Sequence, residues 1–248
     1  MKYYIIQIIC NLIGGALVAI LTWYFLKLLK KYHNWNFQRI FGEDSASNFF
    51  IVYGQMKLLQ PSFDKSGKLI EWPYYKEGLN KGFNVSSIVS FTETKSAKYI
   101  SETFGEILNV APKLISDNEI KEKLDISFCS IGGFNNFKTI DILGSKGNTF
   151  YDFDLTSPGC IFVKKDKEKK FCIDGIHDYA LIIKIIPEAF PNRVWIVVAG
   201  LGEWGTSGAS WFLSKQWKKL PKNKSFGLII KVRGGQDESA EIVHQLTS

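Results

Sequence analysis

Two glycine-rich runs carry the residues best placed for chemistry. Gly200-Leu201-Gly202-Glu203-Trp204-Gly205-Thr206-Ser207-Gly208 matches GxGxxG directly after the apolar stretch Val194–Ala199 and directly before a helical stretch. That arrangement suits a phosphate. Glycines let the backbone approach closely, and the free N–H groups and dipole of a helix start favour an anion. Thr206 or Ser207 would cap the helix and donate to the phosphate. The second run, Ser130-Ile131-Gly132-Gly133-Phe134-Asn135-Asn136, follows the apolar segment Asp125–Ser130 and offers Asn135 or Asn136 as a helix cap. Arg233, ahead of Gly234 and Gly235, adds a bidentate phosphate or carboxylate donor. The candidate ligand set is therefore Gly132, Gly133, Asn135, Asn136, Gly200, Gly202, Gly205, Thr206, Ser207 and Arg233.

Acid–base chemistry has fewer carriers. Glu203 inside the main glycine run is one candidate catalyst. Asp237 is the other, and it also fits the first turn of a closing helix, where the dipole would favour it. His177 and Asp178 are adjacent, so in a strand they point to opposite faces and do not form an acid–base pair. No HExxH, nucleophile elbow or Walker motif occurs. The acidic residue that an NAD site expects some 20 positions on is absent, because Lys218–Ser225 is lysine-rich. Cys10, Cys129, Cys160 and Cys172 show no CxxC spacing, and His33, His177 and His244 lie far apart. These patterns specify neither a metal nor a cofactor, and they leave the cysteines as reduced, packed thiols.

The run Gly200–Thr206, closing in Gly-Thr, resembles the GGxGT phosphate loop of the SLOG superfamily, and Gly132-Gly133 is similar to that superfamily's first glycine turn. The strand–helix order would equally suit CARF-type sensors. The resemblance implies a Rossmann-like domain that binds a nucleotide-derived ligand. Where SLOG hydrolases carry a glutamate after Gly-Thr, this chain has Ser207, Gly208, Ala209 and Ser210. That departure favours sensing over turnover. The alternatives are a membrane-tethered nucleotide or NAD glycohydrolase using Glu203 or Asp237, and an interaction module that binds no small ligand.

The elements around these loops repeat a strand, a short turn and a helix. Ser87–Phe91, Asp125–Ser130, Val194–Ala199 and Phe226–Val232 read as strands, each followed by a polar or Gly-rich turn and a helix. Phe49–Leu59 reads as a further strand. Residues 149–186 read as an antiparallel insertion with a hairpin tip at Lys164–Lys170, and Pro61–Gly82 as a long loop or small insertion on the membrane-near side. The fold class is α/β: one N-terminal transmembrane helix, then a Rossmann-like, mainly parallel sheet with flanking helices and that β insertion. The expected division is an anchor over 1–33 and a single domain over 34–248.

The anchor rests on Tyr3–Leu26, 24 residues without a charge, ending in Trp23-Tyr24-Phe25 and closed by Lys27, Lys30 and Lys31. A cleavable signal would be shorter and would end in small residues. One lysine precedes the span, whereas Lys27, Lys30, Lys31 and Arg39 follow it, which places the domain in the cytosol. The net charge of +7 belongs mostly to this anchor, since setting aside Lys2, Lys27, Lys30 and Lys31 leaves 27 basic against 24 acidic residues. Nucleic acid is thus not an expected partner. Gly15 with Ala19, and Gln7 with Asn11, are spaced for helix–helix contact, so a homo-oligomer in the bilayer is expected.

Overall fold

A computed structural model describes residues 2–57, 62–63, 65–66, 69–71, 87–157 and 159–248. Helix α1 (Lys2–Phe41) is 40 residues long, about 60 Å. Its segment Ile13–Phe41 is long and apolar enough to cross a membrane. Ile13 to Tyr32 project from the domain with every side chain exposed, an arrangement that water would penalise across so many apolar residues. The last turns behave differently. Phe37 and Phe41 stack at 4.3 Å and meet the rings of Phe104, Phe49 and Trp217, so the helix is rooted in the core.

The elements follow in the order β1 (Phe49–Tyr53), β2 (Met56–Lys57), β3 (Ser62–Phe63), β4 (Leu69–Glu71), β5 (Ser87–Ile88), α2 (Phe91–Leu108), β6 (Lys113–Ser116), α3 (Asp117–Ile120) and β7 (Ser127–Ile131). Then come α4 (Phe137–Gly144), β8 (Tyr151–Phe153), β9 (Cys160–Val163), β10 (Asp166–Cys172), β11 (His177–Ile185), β12 (Trp195–Gly200), α5 (Glu203–Lys215), β13 (Phe226–Arg233) and β14 (Gln236–Thr247). Seven strands form one sheet in the order β14-β13-β11-β12-β7-β1-β6. The half β12-β7-β1-β6 is parallel, and β11, β13 and β14 join antiparallel to their neighbours. Side chains alternate between two buried faces. Ile51, Ile131, Ile196 and Ile230 pack under α2, α5 and the root of α1. Val52, Phe128, Val197 and Ile229 pack under α4 and the small sheet β10-β9-β8.

Residues 236–247 form no helix. Gly234 and Gly235 turn the chain back, and β14 pairs with β13, because a two-glycine turn between β-rich segments closes a hairpin. Ser87–Ile88 pairs with β2 outside the main sheet. The charged run 166–170 is itself strand β10, so the hairpin turns earlier, at Lys164-Lys165. Cys160 and Cys172 face each other across β9 and β10 and form a disulfide, so these two are not reduced thiols, whereas Cys129 is free and buried. The stretch Pro61–Gly82 lies mostly outside the described residues, as do the side chains of Gln7, Cys10 and Asn11.

Candidate functional site

The turn after β12 is the first part of the candidate site, and its geometry depends on a neighbouring strand. Ala180 of β11 pairs with Gly200 of β12. Asp178 therefore stands two residues past the end of that pairing, beneath the start of α5. Its buried carboxylate accepts hydrogen bonds from the N–H groups of Gly205 (2.6 Å), Tyr179 (2.7 Å) and Gly202 (3.1 Å). The helix N-terminus thus already holds an anion, and that anion is part of the chain. Burial pushes the Asp178 carboxyl upward, and the three N–H donors pull it back down. The glycines make room for this contact. A Cβ on Gly202 would lie 2.7 Å from the Asp178 carboxylate, and one on Gly205 would lie 2.8 Å from the Tyr179 carbonyl. Thr206 Oγ1 accepts from Gly200 N–H and donates to the Gly202 carbonyl, which ties the turn to itself.

The turn after β7 is built in the same way. Helix α2 crosses one face of the sheet and α4 the other, so the chain switches sides between β1 and β7, where open α/β sheets form a crevice. Here Glu93 fills that crevice. It is buried and accepts from Asn135 Nδ2 (2.6 Å) and Gly54 N–H (3.0 Å). Gly132 has φ +97°, and a Cβ there would collide with Glu93 Oε1, so two separate reasons require glycine. Burial raises the Glu93 carboxyl above its usual range, the Asn135 and Gly54 hydrogen bonds lower it, and nearby Asp117 raises it further. Asp117 accepts from the N–H groups of Gln55 and Phe137. Asn136 caps α4 through the N–H groups of Lys138 and Thr139 and donates to the Val52 and Ile131 carbonyls. Lys138 turns away and donates to the carbonyls of Lys121 and Lys123.

The other named residues are separated from one another. Asp237 is buried on β14 and is held by Lys95 Nζ (2.7 Å), Ser207 Oγ (2.7 Å) and Tyr99 Oη (2.9 Å), so it locks α2 and α5 to the hairpin. Glu203 is exposed beside Trp204. Arg233 is exposed at the β13–β14 turn, where a Cβ on Gly234 would lie 2.5 Å from the Trp204 ring. The His177 ring pairs with Asp174 at 3.0 Å. Among the described residues, no group of three His, Cys, Asp or Glu is placed to hold a metal ion.

The two glycine turns meet at the mouth of a cleft that the sequence reading did not find. A Cβ on Gly133 would sit 3.8 Å from the Gly200 carbonyl. From there a cavity of about 580 Å³ runs between α4 and the small sheet. Phe134 (61% exposed) and Phe153 form its aromatic wall with centroids 4.9 Å apart, and Ile140 and Phe162 line it further in. The rim is charged, with Asp152, Lys167 and an Asp154–Lys170 ion pair of 2.6 Å. Lys170, with three further hydrogen bonds from Thr156 and Ser157, holds the Asp154 carboxyl well below the usual carboxylate range. The disulfide Cys160–Cys172 fastens β9 to β10, the strands that carry Phe162 and Lys170.

Comparison with known protein families, characterised proteins and solved structures finds no match to this chain.

Proposed function

We propose that this is a membrane-anchored ligand-binding domain, a sensor whose small molecule sits in the cleft between α4 and the small sheet. The observation that carries the reading is the cleft's combination of an exposed aromatic wall with a rim of both charges, beside backbone turns that carboxylates of the chain already occupy. A nucleotide-derived ligand suits it. A base would stack on Phe134, ribose hydroxyls would donate to Asp152, and a phosphate would meet Lys167. Gly133 is the one residue of the candidate binding set that lines this cleft; the others help to shape its mouth or lie elsewhere on the same edge of the sheet. Signalling would run through association of α1, where the small face at Gly15 is open for close contact.

The lysines after the apolar run support a cytosolic domain, and the Cys160–Cys172 disulfide there would form only under oxidation. The test is thermal unfolding of the full chain in detergent against linear and cyclic nucleotides, NAD and ADP-ribose. A ligand at 100 times its dissociation constant adds about 2.7 kcal/mol. The shift is expected to disappear in Phe134→Ala, an exposed position whose loss leaves the fold intact. A nucleotide shift that survives Phe134→Ala together with Lys167→Gln would place the ligand elsewhere.

A further inference from the structure

A second cleft lies at the opposite end of the domain, where α1 enters it. It has a volume of about 680 Å³ and opens between α1 and the C-terminal ends of α2 and α5. Leu29, Ile107 and Trp217 form its apolar wall, and Lys30, Lys215 and Lys218 supply its charge. One carboxylate, Glu106, opposes them; it is 3.6 Å from Lys215 and mostly exposed. Lys27, Lys31 and Lys219 add three more cations within a turn of the lining residues.

We propose that this cleft binds the phosphate headgroup of an anionic phospholipid, on the side of the bilayer where the domain sits. The inference rests on α1 crossing the membrane. Its level along that helix fits. Lys30 follows the aromatic residues Trp23–Phe25 by five to seven positions, roughly 8–10 Å at 1.5 Å per residue. The headgroup layer extends about 5–8 Å beyond each face of the hydrocarbon core, and a lysine side chain reaches back along the helix to meet it. The chemistry also fits. Three lysines line one hollow, and juxtamembrane lysines are attracted to anionic lipid. The apolar wall would take the glycerol and upper acyl chain, so a headgroup still joined to its lipid suits the cleft better than free phosphate does. A lipid seated there would wedge α1 against α2 and α5 and fix the angle at which the domain leaves the membrane.

The experiment is native mass spectrometry of the full chain, released from detergent after incubation with phosphatidylglycerol or phosphatidylcholine. Retention of membrane pelleting after a carbonate wash establishes the span independently. The wild-type chain is expected to retain phosphatidylglycerol at least tenfold over phosphatidylcholine. K30Q/K215Q/K218Q is expected to lose that preference, and K146Q/K165Q/K169Q, which removes equal charge from exposed positions away from both clefts, is expected to keep it. The proposal is overturned if the cleft variant retains the lipid, if both variants lose it equally, or if the wild type does not discriminate between the two lipids. Circular dichroism melts of the three proteins show that they are folded alike.

Discussion

Removing the Asp178 carboxylate tests whether the GxGxxG turn is an internally capped helix start. In Asp178→Ala, the N–H groups of Tyr179, Gly202 and Gly205 lose their acceptor together. An unsatisfied buried donor costs about 1–3 kcal/mol, and partial access of water reduces the sum to roughly 3–6 kcal/mol. For a domain of this size each kcal/mol moves the melting midpoint by about 2–4 °C, so a fall of roughly 6–24 °C is expected. Asp178→Asn keeps one oxygen, which can still serve Tyr179 and Gly202. Its amide then faces the Gly205 N–H, and the helix loses the charge at its N-terminus, worth about 0.3–2 kcal/mol. The expected order of stability is wild type, then Asn, then Ala. Tryptophan fluorescence during thermal unfolding of the detergent-solubilised chain reads it. A second arm uses phosphate. In Asp178→Ala the freed N–H groups can donate to an external anion, so millimolar phosphate raises the midpoint of the variant and leaves the wild type unchanged. An Ala variant within about 1 kcal/mol of wild type, or a wild type stabilised by phosphate where Ala is not, would refute the reasoning.

Three further outcomes follow from buried contacts. Lys184 is fully buried on β11 and donates to the Arg39 carbonyl at 2.6 Å, capping the root of α1; burial, with the nearby Arg39 charge, depresses its ammonium to about 8. The unfolded chain then binds the extra proton between about pH 8 and 10.5, so stability rises with pH across that window, by on the order of 3 kcal/mol in all. Lys184→Met should flatten the rise in paired melts, and equal slopes in the two proteins would count against the assignment. A Cβ on Gly208 would lie 2.6 Å from both methyl carbons of Val232. Gly208→Ala should therefore cost about 1–3 kcal/mol despite its better helix propensity, with partial rescue by Val232→Ala; additive effects in the double mutant would be the contrary result. If the domain is cytosolic as proposed, the Cys160–Cys172 disulfide should be held open in the cell, so thiol trapping in intact cells should find both cysteines alkylated. A protected pair there would put the domain on the oxidising side.

Locally encoded features were legible in the chain. The uncharged run and its lysine collar mark α1, and Asn136 caps α4 as its residue type suggests. Strands β7, β12 and β13 lie within about two residues of their apolar runs. The hairpin of β13 and β14 was also within reach, because Gly234-Gly235 followed by Ala240, Ile242, His244 and Leu246 alternates as a strand does. The same letters support a helix, and the pairing with β13 decided between the two.

What the glycines are for was decided only in three dimensions. A GxGxxG turn has the same local shape whether its N–H groups point at a ligand or at a carboxylate of the chain. The carboxylate that occupies them lies 24 to 27 residues earlier and arrives through the β11–β12 register. Glu93 reaches Gly132 from α2 across the β1–β7 switch in the same way, and the cleft exists only because β8–β10 fold over α4. Composition and periodicity act over a few residues and so determine which segments become helices and strands. Which polar groups find each other is set by sheet order and register, since burial makes each one accept whatever partner the packing brings within 3 Å.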